Sequence, residues 1–365
     1  MLKKILAALV ILVAIICVYF LVWPVPIEPV SWKSPPNPGY TGPFARNEKL
    51  KGLQVFPIGK NHGPEDVVLD QQGRIYVTTG EGFIVRLKPD GTGAENWVDT
   101  KGRPLGLVMD PKGNLIVADA YRGLLSIAPD GSITELATVA DGIPIRYADD
   151  ADVAADGKIY FSDASTKFAA KDYGTMGASL LEIMEHAGTG RLLVWEPETR
   201  KARTLLKDLC FANGVAVSHD QTCVLVNETG SYRIIRYWIA GPKKGTSDTL
   251  VDALPAFPDN ITRGLDGRYW VALISTRNPL VDKLAESPFV RKMIQRMPAF
   301  MRPKAESYGH IVAIDDNGKI LMDLQDPQTN YPQNTAVTET KDFLYIGSLS
   351  TTVLARLPKE KIGLK

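Results

Sequence analysis

The run Leu254-Pro-Ala-Phe-Pro-Asp-Asn-Ile-Thr-Arg-Gly-Leu-Asp-Gly-Arg-Tyr-Trp-Val-Ala-Leu273 holds one complete copy of a pattern that recurs along the chain. Its two prolines exclude a helix at the start. Asp259 and Asn260 follow, and a Leu-Asp-Gly turn comes next. The run ends in Tyr269-Trp-Val-Ala-Leu273, whose aromatic and β-branched residues favour a strand. The pattern therefore predicts a strand, a tight turn and a second strand, with a carboxylate and an amide at the open end.

The same unit occurs six times in one register. The second strand of each copy contains an apolar triplet, and Asp or Gly turn residues precede most of these triplets, as hairpins require. The triplets begin at Ile75, Leu115, Ile159, Val224, Tyr269 and Leu344. With one residue of slack in the turns, the positions at the heads of the first strands are Glu65, Leu105, Asp149, Asn213, Asp259 and Asn334. Five of these six side chains carry an oxygen acceptor, which indicates one shared environment.

Repeats of roughly 40–60 residues, each built of short strands, are typical of a radial propeller. We therefore predict an all-β fold, a six-bladed β-propeller with short helical insertions, over residues 50–359. Too little chain follows Ile346 to complete the sixth blade. A strand at Leu53–Pro57 is expected to complete it, which would close the ring and hide the sheet edges. A β-sandwich explains neither the six-fold register nor the length.

The N-terminus predicts a membrane anchor. Lys3 and Lys4 precede nineteen uncharged residues, from Ile5 to Trp23, enough for one transmembrane helix. We predict a cytosolic stub at 1–4, a signal anchor at 5–23, and a stiff Pro-rich spacer at 24–49. A cleaved signal peptide is the alternative, although no A-x-A-like site follows. We expect a single-pass membrane protein whose C-terminal domain is extracytoplasmic, in the periplasm, a lumen or the exterior.

Two insertions interrupt the repeat. Residues 164–190 include Met176–His186, which reads as a helix. Residues 276–307 contain an amphipathic, basic stretch at 280–302 in which Met, Phe, Arg and Lys alternate at helical spacing. This stretch is a cap packed on the propeller, a substrate lid, or a helix that touches the membrane.

Composition excludes several classes of protein. The chain has 365 residues and a formal net charge of +1, so no global field points to nucleic acid. It has no G-x-G-x-x-G or P-loop between a strand and a helix, and no C-x-x-C. Three cysteines are too few for a disulfide scaffold. Cys210 and Cys223 flank one hairpin, and we expect buried free thiols there, with a bridge as the alternative.

The ring of polar residues predicts a metal site. Carboxylate and amide oxygens, without His or Cys, suit a hard cation such as Ca²⁺, with another divalent cation as the alternative. Three of the ring side chains are the carboxylates Glu65, Asp149 and Asp259, which repel one another unless something neutralises them. The competing interpretation is a wet channel whose polar side chains bond to each other.

Several motifs together carry a family resemblance. They are Phe211-Ala-Asn-Gly-Val-Ala-Val-Ser, Asn227-Glu-Thr-Gly-Ser-Tyr-Arg-Ile-Ile-Arg-Tyr-Trp, Gly241-Pro-Lys-Lys-Gly-Thr, Leu254-Pro-Ala-Phe-Pro-Asp-Asn-Ile, Gly190-Arg-Leu-Leu and Tyr345-Ile-Gly-Ser-Leu. They resemble the strictosidine synthase-like family, and in particular its membrane-anchored branch, which is similar to the adipocyte plasma membrane-associated protein. The resemblance spans residues 50–357. It implies a six-bladed propeller of the gluconolactonase, regucalcin and paraoxonase superfamily, with one metal ion in the central channel.

The resemblance also implies a ligand set. The lactonase metal ligands fall on Glu65, Asn213 and Asp259, with Asp149 at a position that is usually Asn. Asn260 matches the second residue of a paraoxonase-like Asp-Asn pair. The sequence departs from these related enzymes at two places. Leu105 replaces the channel histidine of paraoxonase. Gln333–Thr335 offers no carboxylate where strictosidine synthase has its catalytic glutamate.

These observations predict a Ca²⁺-dependent hydrolase of esters or lactones, similar to an arylesterase or lactonase. The candidate catalytic residues are Asp259, Asp149 and His62. The expected partners are a small-molecule ester or lactone and the membrane, contacted through the N-terminal helix and the 280–302 insertion. A strictosidine synthase-like condensing enzyme and a non-catalytic propeller that binds a ligand or partner are the alternatives.

Overall fold

The computed structural model describes residues 1–364, whose strands form six sheets. The innermost strands of successive sheets contact one another around a ring, and the last of them contacts the first. The predicted six-bladed β-propeller is therefore confirmed. The structure also has the predicted apolar helix near the N-terminus, before the propeller.

The first three blades follow chain order. Blade one consists of β2 (Val67–Leu69), β3 (Ile75–Thr78), β4 (Phe83–Leu87) and β5 (Glu95–Asp99). Blade two consists of β6 (Pro104–Met109), β7 (Leu115–Asp119), β8 (Gly123–Ile127) and β9 (Ile133–Ala137). Blade three consists of β12 (Ala148–Val153), β13 (Ile159–Asp163), β14 (Gly190–Glu196) and β15 (Lys201–Leu209), and is extended by the short strands β10 (Val139–Ala140) and β11 (Ile143–Pro144).

The other three blades repeat this arrangement. Blade four consists of β16 (Ala212–Val217), β17 (Cys223–Glu228), β18 (Arg233–Trp238) and β19 (Ser247–Val251). Blade five consists of β20 (Ala256–Arg263), β21 (Tyr269–Thr276), β22 (Gly309–Ile314) and β23 (Ile320–Asp326). Blade six consists of β24 (Asn334–Glu339), β25 (Phe343–Ser348), β26 (Val353–Pro358) and β1 (Gln54–Pro57).

The sixth blade closes the ring as predicted. Its outer strand β1 comes from before blade one and pairs antiparallel with β26, from Gln54 opposite Arg356 to Pro57 opposite Val353. The pairing joins two segments from opposite ends of the propeller and covers the outer edge of β26, which would otherwise be free to pair with another chain.

The hydrophobic core lies between the blades. Each predicted triplet lies on a second strand whose two faces both meet a neighbouring blade, so its residues are buried throughout. Val77 of blade one, for example, belongs to a buried cluster with Tyr345 and Leu354 of blade six. A strand buried on both faces has a continuous apolar run rather than an alternating one, which is why these triplets are conspicuous in the sequence.

The strand register defines the channel positions. The third residue of each triplet pairs with an innermost strand as Val67–Val77, Leu107–Val117, Ala151–Phe161, Val215–Val226, Ile261–Val271 and Val337–Ile346. Two residues before these inner partners stand Glu65, Leu105, Asp149, Asn213, Asp259 and Thr335. These positions coincide with the predicted ring positions in five blades, whereas Asn334 lies one residue before the sixth position. The reason is that the last hairpin is one residue shorter than the first.

The helices pack on one side of the propeller. They are α1 (Leu2–Val22), α2 (Ala170–Tyr173), α3 (Thr175–Glu185), α4 (Pro279–Lys283) and α5 (Pro288–Arg296). Both predicted insertions are therefore helical. The Pro-rich stretch is extended but not free, because the N–H of Val30 donates to the carbonyl oxygen of Glu185 (2.8 Å) and Ile27 is fully buried.

Helix α1 extends over 21 residues, is strongly apolar and has no residue buried against the rest of the protein. By length and composition it can cross a membrane. A helix rises about 1.5 Å per residue, and the hydrocarbon layer is about 30 Å thick. It begins at Leu2 and ends at Val22, close to the predicted limits of 5 and 23.

Candidate metal centre and its cavity

The ring residues share one cavity. It has a volume of about 560 Å³, and its lining includes Glu65, Leu105, Asp149, Asn213 and Asp259. Two further polar residues contact Glu65. Thr335 donates from Oγ1 to the backbone carbonyl of Glu65 (2.5 Å), and Asn260 donates from Nδ2 to its carboxylate Oε1 (3.1 Å). The structure thus brings the residues of the predicted ligand set to one place.

A β-bulge explains how the ring side chains reach the channel. Five of the innermost strands have a register shift at the ring position, and such a shift places two consecutive residues opposite one. One of these residues can then face the channel while its successor faces the next blade. Asp149 lines the cavity, for example, whereas Asp150 accepts a hydrogen bond from Val215 N–H of blade four (2.7 Å).

Hydrogen bonds within the ring leave several oxygen atoms unsatisfied. Asn213 donates from Nδ2 to Asp259 Oδ1 (2.5 Å), which directs its amide oxygen elsewhere. Glu65 Oε2, Asn213 Oδ1 and Asn260 Oδ1 are buried and have no hydrogen-bond partner among residues 1–364. A buried oxygen without a partner costs about 1–3 kcal/mol. Glu65 and Asn213 line the cavity, and Asn260 bonds to Glu65. Carboxylate and amide oxygens of this kind are the ligands that Ca²⁺ takes.

The carboxylates alone do not make a metal site. Within residues 1–364, no group of three or more His, Cys, Asp or Glu side chains is placed to hold a metal ion. The amide oxygens of Asn213 and Asn260 would therefore have to complete any ligand shell, together with Glu65 and Asp259. Mixed carboxylate and amide ligands suit Ca²⁺, so the residue types fit this cation.

Burial favours the protonated form of the ring acids. It raises the pKa of Glu65 well above its ordinary value, and the nearby Asp259, Asp66 and Asp149 raise it further. Burial and Asp259 likewise raise the pKa of Asp149. The pKa of Asp259 rises to about 7 for the same main reason, although the hydrogen bond from Asn213 opposes the shift. A positive charge in the ring would reverse these shifts.

Two acids next to the ring were missed by the sequence reasoning. Asp66 accepts from the N–H groups of Val67 (2.7 Å) and of Leu107 in the next blade (2.8 Å). Asp150 bonds in the same way to Ala151 (2.8 Å) and Val215 (2.7 Å). These carboxylates join adjacent blades behind the ring. The sequence did contain a signal for these two acids. A polar residue directly follows the ring residue in Glu65-Asp66, Asp149-Asp150 and Asp259-Asn260.

Glycine follows the ring residue where the neighbouring blade comes close. A Cβ atom on Gly106 would lie 2.3 Å from Asp150 Oδ1 and 2.7 Å from its Cα. A Cβ atom on Gly214 would lie 2.4 Å from the backbone nitrogen of Ile261. Because no side chain fits at these distances, glycine lets blades two and four approach blades three and five.

Arg103 and Tyr147 were also missed. Arg103 is buried beside the ring, where its Nη1 donates to the carbonyl oxygen of Thr79 (2.8 Å), and its charge lowers the pKa values of Glu65 and Asp149 against the effect of burial. Tyr147 lines the cavity edge-on to Phe211, with ring centroids 5.3 Å apart. Arg103 and Tyr147 lie outside the repeated register, so the sequence pattern did not identify them.

His62 is not brought to the ring. Its side chain is 60% exposed, its Nδ1 pairs with the Glu81 carboxylate, and it does not contribute to the cavity lining. Leu105 occupies the channel position where an imidazole base would stand. Cys210 and Cys223 are free and buried, which matches the expectation of thiols rather than a bridge.

The walls of the cavity are mostly apolar and come from the insertions and the anchor. Met184 of α3 and Ile294 of α5 contribute to them, as does Phe257 next to the ring. Tyr19 and Trp23, at the C-terminal end of α1, line the same cavity. The insertion at 276–307 therefore covers the channel and also contacts α1.

Comparison with known proteins identifies the family. A strictosidine synthase profile matches residues 149–242, and a profile for the N-terminal part of strictosidine synthase-like proteins matches residues 42–87. The adipocyte plasma membrane-associated protein of Salmo salar is 32% identical over 361 residues, which cover 92% of this chain and 85% of that protein. The chain belongs to the strictosidine synthase-like family. The resemblance read from its motifs is confirmed.

This strictosidine synthase-like protein has relatives in plants as well. Protein STRICTOSIDINE SYNTHASE-LIKE 13 of Arabidopsis thaliana is 36% identical over 330 residues, covering 81% of this chain and 78% of that protein. Among solved structures, a gluconolactonase from Xanthomonas campestris superposes with a TM-score of 0.61 at 16% identity, covering 90% of this chain and 99% of that one. The calcium-binding regucalcin from Agrobacterium tumefaciens gives 0.58 at 13% identity, covering 84% and 93%. At these identities the structures share the propeller fold.

Proposed function

We propose that this strictosidine synthase-like protein is a membrane-anchored, Ca²⁺-dependent hydrolase that acts on esters or lactones. The observation that carries the proposal is a group of three buried oxygen atoms without partners, Glu65 Oε2, Asn213 Oδ1 and Asn260 Oδ1. Glu65 and Asn213 line a largely apolar cavity, and Asn260 bonds to Glu65. Such a site combines a place for a hard cation with room for an apolar substrate.

The proposed roles follow from the contacts of each side chain. Glu65, Asp259 and the two asparagine amides hold the cation. When bound, Ca²⁺ supplies positive charge that polarises a substrate carbonyl oxygen. Asn213 and Asn260 also orient the two carboxylates, because each donates a hydrogen bond to one of them.

Asp149 is the proposed base. It lines the cavity, and its carboxylate takes part in no side-chain hydrogen bond among residues 1–364, so it is free to contact water or substrate. It accepts a proton from the attacking water and returns it to the leaving oxygen, so that an ester and water become an acid and an alcohol. The pKa of Asp149, raised by burial and by Asp259, falls again beside a positive charge.

A non-catalytic, ligand-binding propeller is the second candidate. It is favoured by one observation, the apolar side chain of Leu105 at the channel position where a base would stand. A condensing enzyme of the strictosidine synthase type is disfavoured, because the sixth ring residue is Thr335, whose hydroxyl donates to a backbone carbonyl.

The proposal also covers the placement of the protein. Lys3 and Lys4 at the start of α1 favour a cytosolic N-terminus, so the propeller is proposed to lie on the opposite side of the membrane. Protease added to spheroplasts or intact cells should then digest a periplasmic or exterior propeller, whereas a lumenal one should be digested only after the organelle membrane is opened. Digestion by a protease that reaches only the cytosolic face of the sealed membrane would contradict this placement.

The function is tested on the purified full chain. Metal content is measured before and after chelation, and hydrolysis of phenyl acetate is measured on the chelated protein with and without added Ca²⁺. The proposal expects about one Ca²⁺ per chain, loss of hydrolysis on chelation and its return with Ca²⁺. Hydrolysis that survives chelation would contradict the metal dependence. A protein that binds Ca²⁺ but hydrolyses neither phenyl acetate nor a lactone would support the binding propeller instead.

A further inference from the structure

The membrane helix forms part of the candidate active site. Tyr19 and Trp23, at its C-terminal end, line the same cavity as Glu65 and Asp259. Tyrosine and tryptophan at the end of a membrane helix lie at the level of the lipid headgroups. The cavity therefore reaches from the ring to the surface of the bilayer.

Arg296 of α5 fixes this arrangement. The last carbonyl groups of a helix have no partner within the helix. Here Arg296 donates from Nε to the carbonyl oxygen of Trp23 (2.6 Å) and from Nη1 to that of Phe20 (2.8 Å). In return, the Tyr19 hydroxyl donates to the carbonyl oxygen of Arg296 (2.8 Å). The anchor is thus held against the insertion that covers the channel.

The outer side of the same insertion has the character of a membrane-contacting surface. Phe289, Phe300 and Met301 are 56%, 76% and 53% exposed. Arg302 and Lys304 follow directly and line the cavity. Exposed aromatic and Met side chains next to basic residues are typical of a segment that lies in the bilayer interface. Arg296 of the same insertion contacts the end of α1, so the membrane is the partner that fits this surface.

From these contacts we infer that the substrate is a membrane-partitioning ester or lactone with a long apolar chain, which enters from the bilayer past the end of α1. The inference rests on the proposed hydrolase function and specifies its substrate class. The reacting carbonyl lies at the ring, and the chain extends along Met184 and Ile294 towards Tyr19 and Trp23. A volume of about 560 Å³ lies within the usual range for sites of drug-sized ligands.

The test compares two esters with the full chain in phosphatidylcholine nanodiscs. They are 4-nitrophenyl acetate, which stays in water, and 4-nitrophenyl dodecanoate, which partitions into the bilayer. We expect kcat/KM for the dodecanoate to exceed that for the acetate by at least about tenfold, which corresponds to about 1.4 kcal/mol. A higher value for the acetate would overturn the inference while leaving the hydrolase function in place.

A variant that fills the apolar part of the cavity makes the test specific. Ile294→Trp should lower kcat/KM for the dodecanoate by more than about tenfold and that for the acetate by a clearly smaller factor. Leu321→Trp adds the same bulk at a position that is 47% exposed on blade five, away from the cavity, and should not change the ratio. If Ile294→Trp fails to fold, as judged by thermal unfolding, Ser179→Trp on the half-buried face of α3 replaces it. An equal fall for both esters would overturn the inference.

A second measurement does not depend on hydrolysis. A dodecyl ether with a diazirine group cannot be hydrolysed and can be crosslinked by light in the same nanodiscs. Mass spectrometry should locate the label on α3 and α5, and Ile294→Trp should remove it. Label confined to the lipid-facing side of α1, or label unchanged by the variant, would overturn the inference. If the label enters the cavity but no ester is hydrolysed, the hydrolase function fails while the lipophilic occupant is supported.

Discussion

Asn213 of blade four donates a hydrogen bond from Nδ2 to Asp259 Oδ1 of blade five at 2.5 Å. The two residues are 46 positions apart in the chain. An amide has one donor end and one acceptor end, so a donor committed to Asp259 leaves the oxygen of Asn213 without a partner. The bond therefore positions a carboxylate and an amide oxygen at the same time.

The first prediction concerns Glu65. In the absence of metal, burial and nearby acids raise the pKa of Glu65, so Glu65→Gln resembles the protonated side chain. We expect the thermal midpoint in the presence of a chelator to stay unchanged. Ca²⁺ affinity should fall by at least about tenfold, and the rise in midpoint that Ca²⁺ causes should be smaller than in the wild type at the same Ca²⁺ concentration.

Glu81→Gln is the matched control, since Glu81 pairs with His62 outside the cavity. It should leave both Ca²⁺ binding and hydrolysis intact. If Glu65→Gln binds Ca²⁺ and hydrolyses phenyl acetate as the wild type does, the ring is only a polar channel lining.

The second prediction concerns Leu105, the one apolar residue of the ring. Leu105→His places an imidazole in the cavity beside Asp149, where it can accept a proton from water. We expect phenyl acetate hydrolysis to rise and to show a new pH-dependent step near the ordinary histidine pKa of about 6.5. Leu105→Gln has similar polarity but no base, and should show neither change. If both variants gained the same hydrolytic activity, the polarity of the side chain alone would explain the gain.

The third prediction concerns His186 at the end of α3. Burial, Arg291 and Arg233 lower its pKa to about 3, and its ring stacks on Trp32 with centroids 3.7 Å apart. Between pH 6.5 and 3 the unfolded chain therefore binds a proton that the folded chain does not. His186 removes stability as the pH falls through this range, by about 2 kcal/mol between pH 7 and pH 5.

His186→Asn tests this, because asparagine tolerates the left-handed backbone of residue 186 (φ 56°). The buried acids, whose pKa values are raised, stabilise the folded protein as the pH falls, which is opposite to the effect of His186. The measured quantity is therefore the wild-type free energy of unfolding minus that of the variant, at pH 7 and pH 5. We expect this difference to shrink by about 2 kcal/mol at pH 5. An unchanged difference for His186→Asn would show that His186 is protonated in the folded protein.

The fourth prediction concerns blade spacing. Gly106→Ala puts a Cβ atom 2.3 Å from Asp150 Oδ1 and 2.7 Å from its Cα, so blades two and three must move apart. We expect a loss of at least about 1–3 kcal/mol in the free energy of unfolding in urea. Gly177→Ala lies in α3 with 3.6 Å to its nearest neighbour and should be neutral or stabilising by up to about 1 kcal/mol. Equal stability of the two variants would contradict the close approach of the blades.

The repeat made the propeller and most of its ring predictable. Each blade repeats the same strand register, so Glu65, Asp149 and Asp259 could be aligned by counting from the apolar triplets. The count was wrong for Asn334, because turn length is poorly determined by sequence and the sixth hairpin is one residue shorter than the first.

Residues outside the register could not be found in this way. The charge of the buried Arg103 lowers the pKa of Glu65. Asp66 accepts a hydrogen bond from a backbone N–H of another blade. Both depend on three-dimensional proximity between blades. The contact between Arg296 and Trp23 joins residues 273 positions apart, and no pattern in either segment predicts it.

Ring closure by β1 also has a consequence for biosynthesis. Strand β1 is synthesised before the first blade and its partner β26 after the last full hairpin. Domains tend to fold as they emerge from the ribosome, but this one cannot close until residues 353–358 have emerged. Until then β1 and β25 have unpaired edges that can join another chain. A premature stop before Val353 would therefore produce an open sheet that can pair with other chains, rather than a slightly smaller propeller.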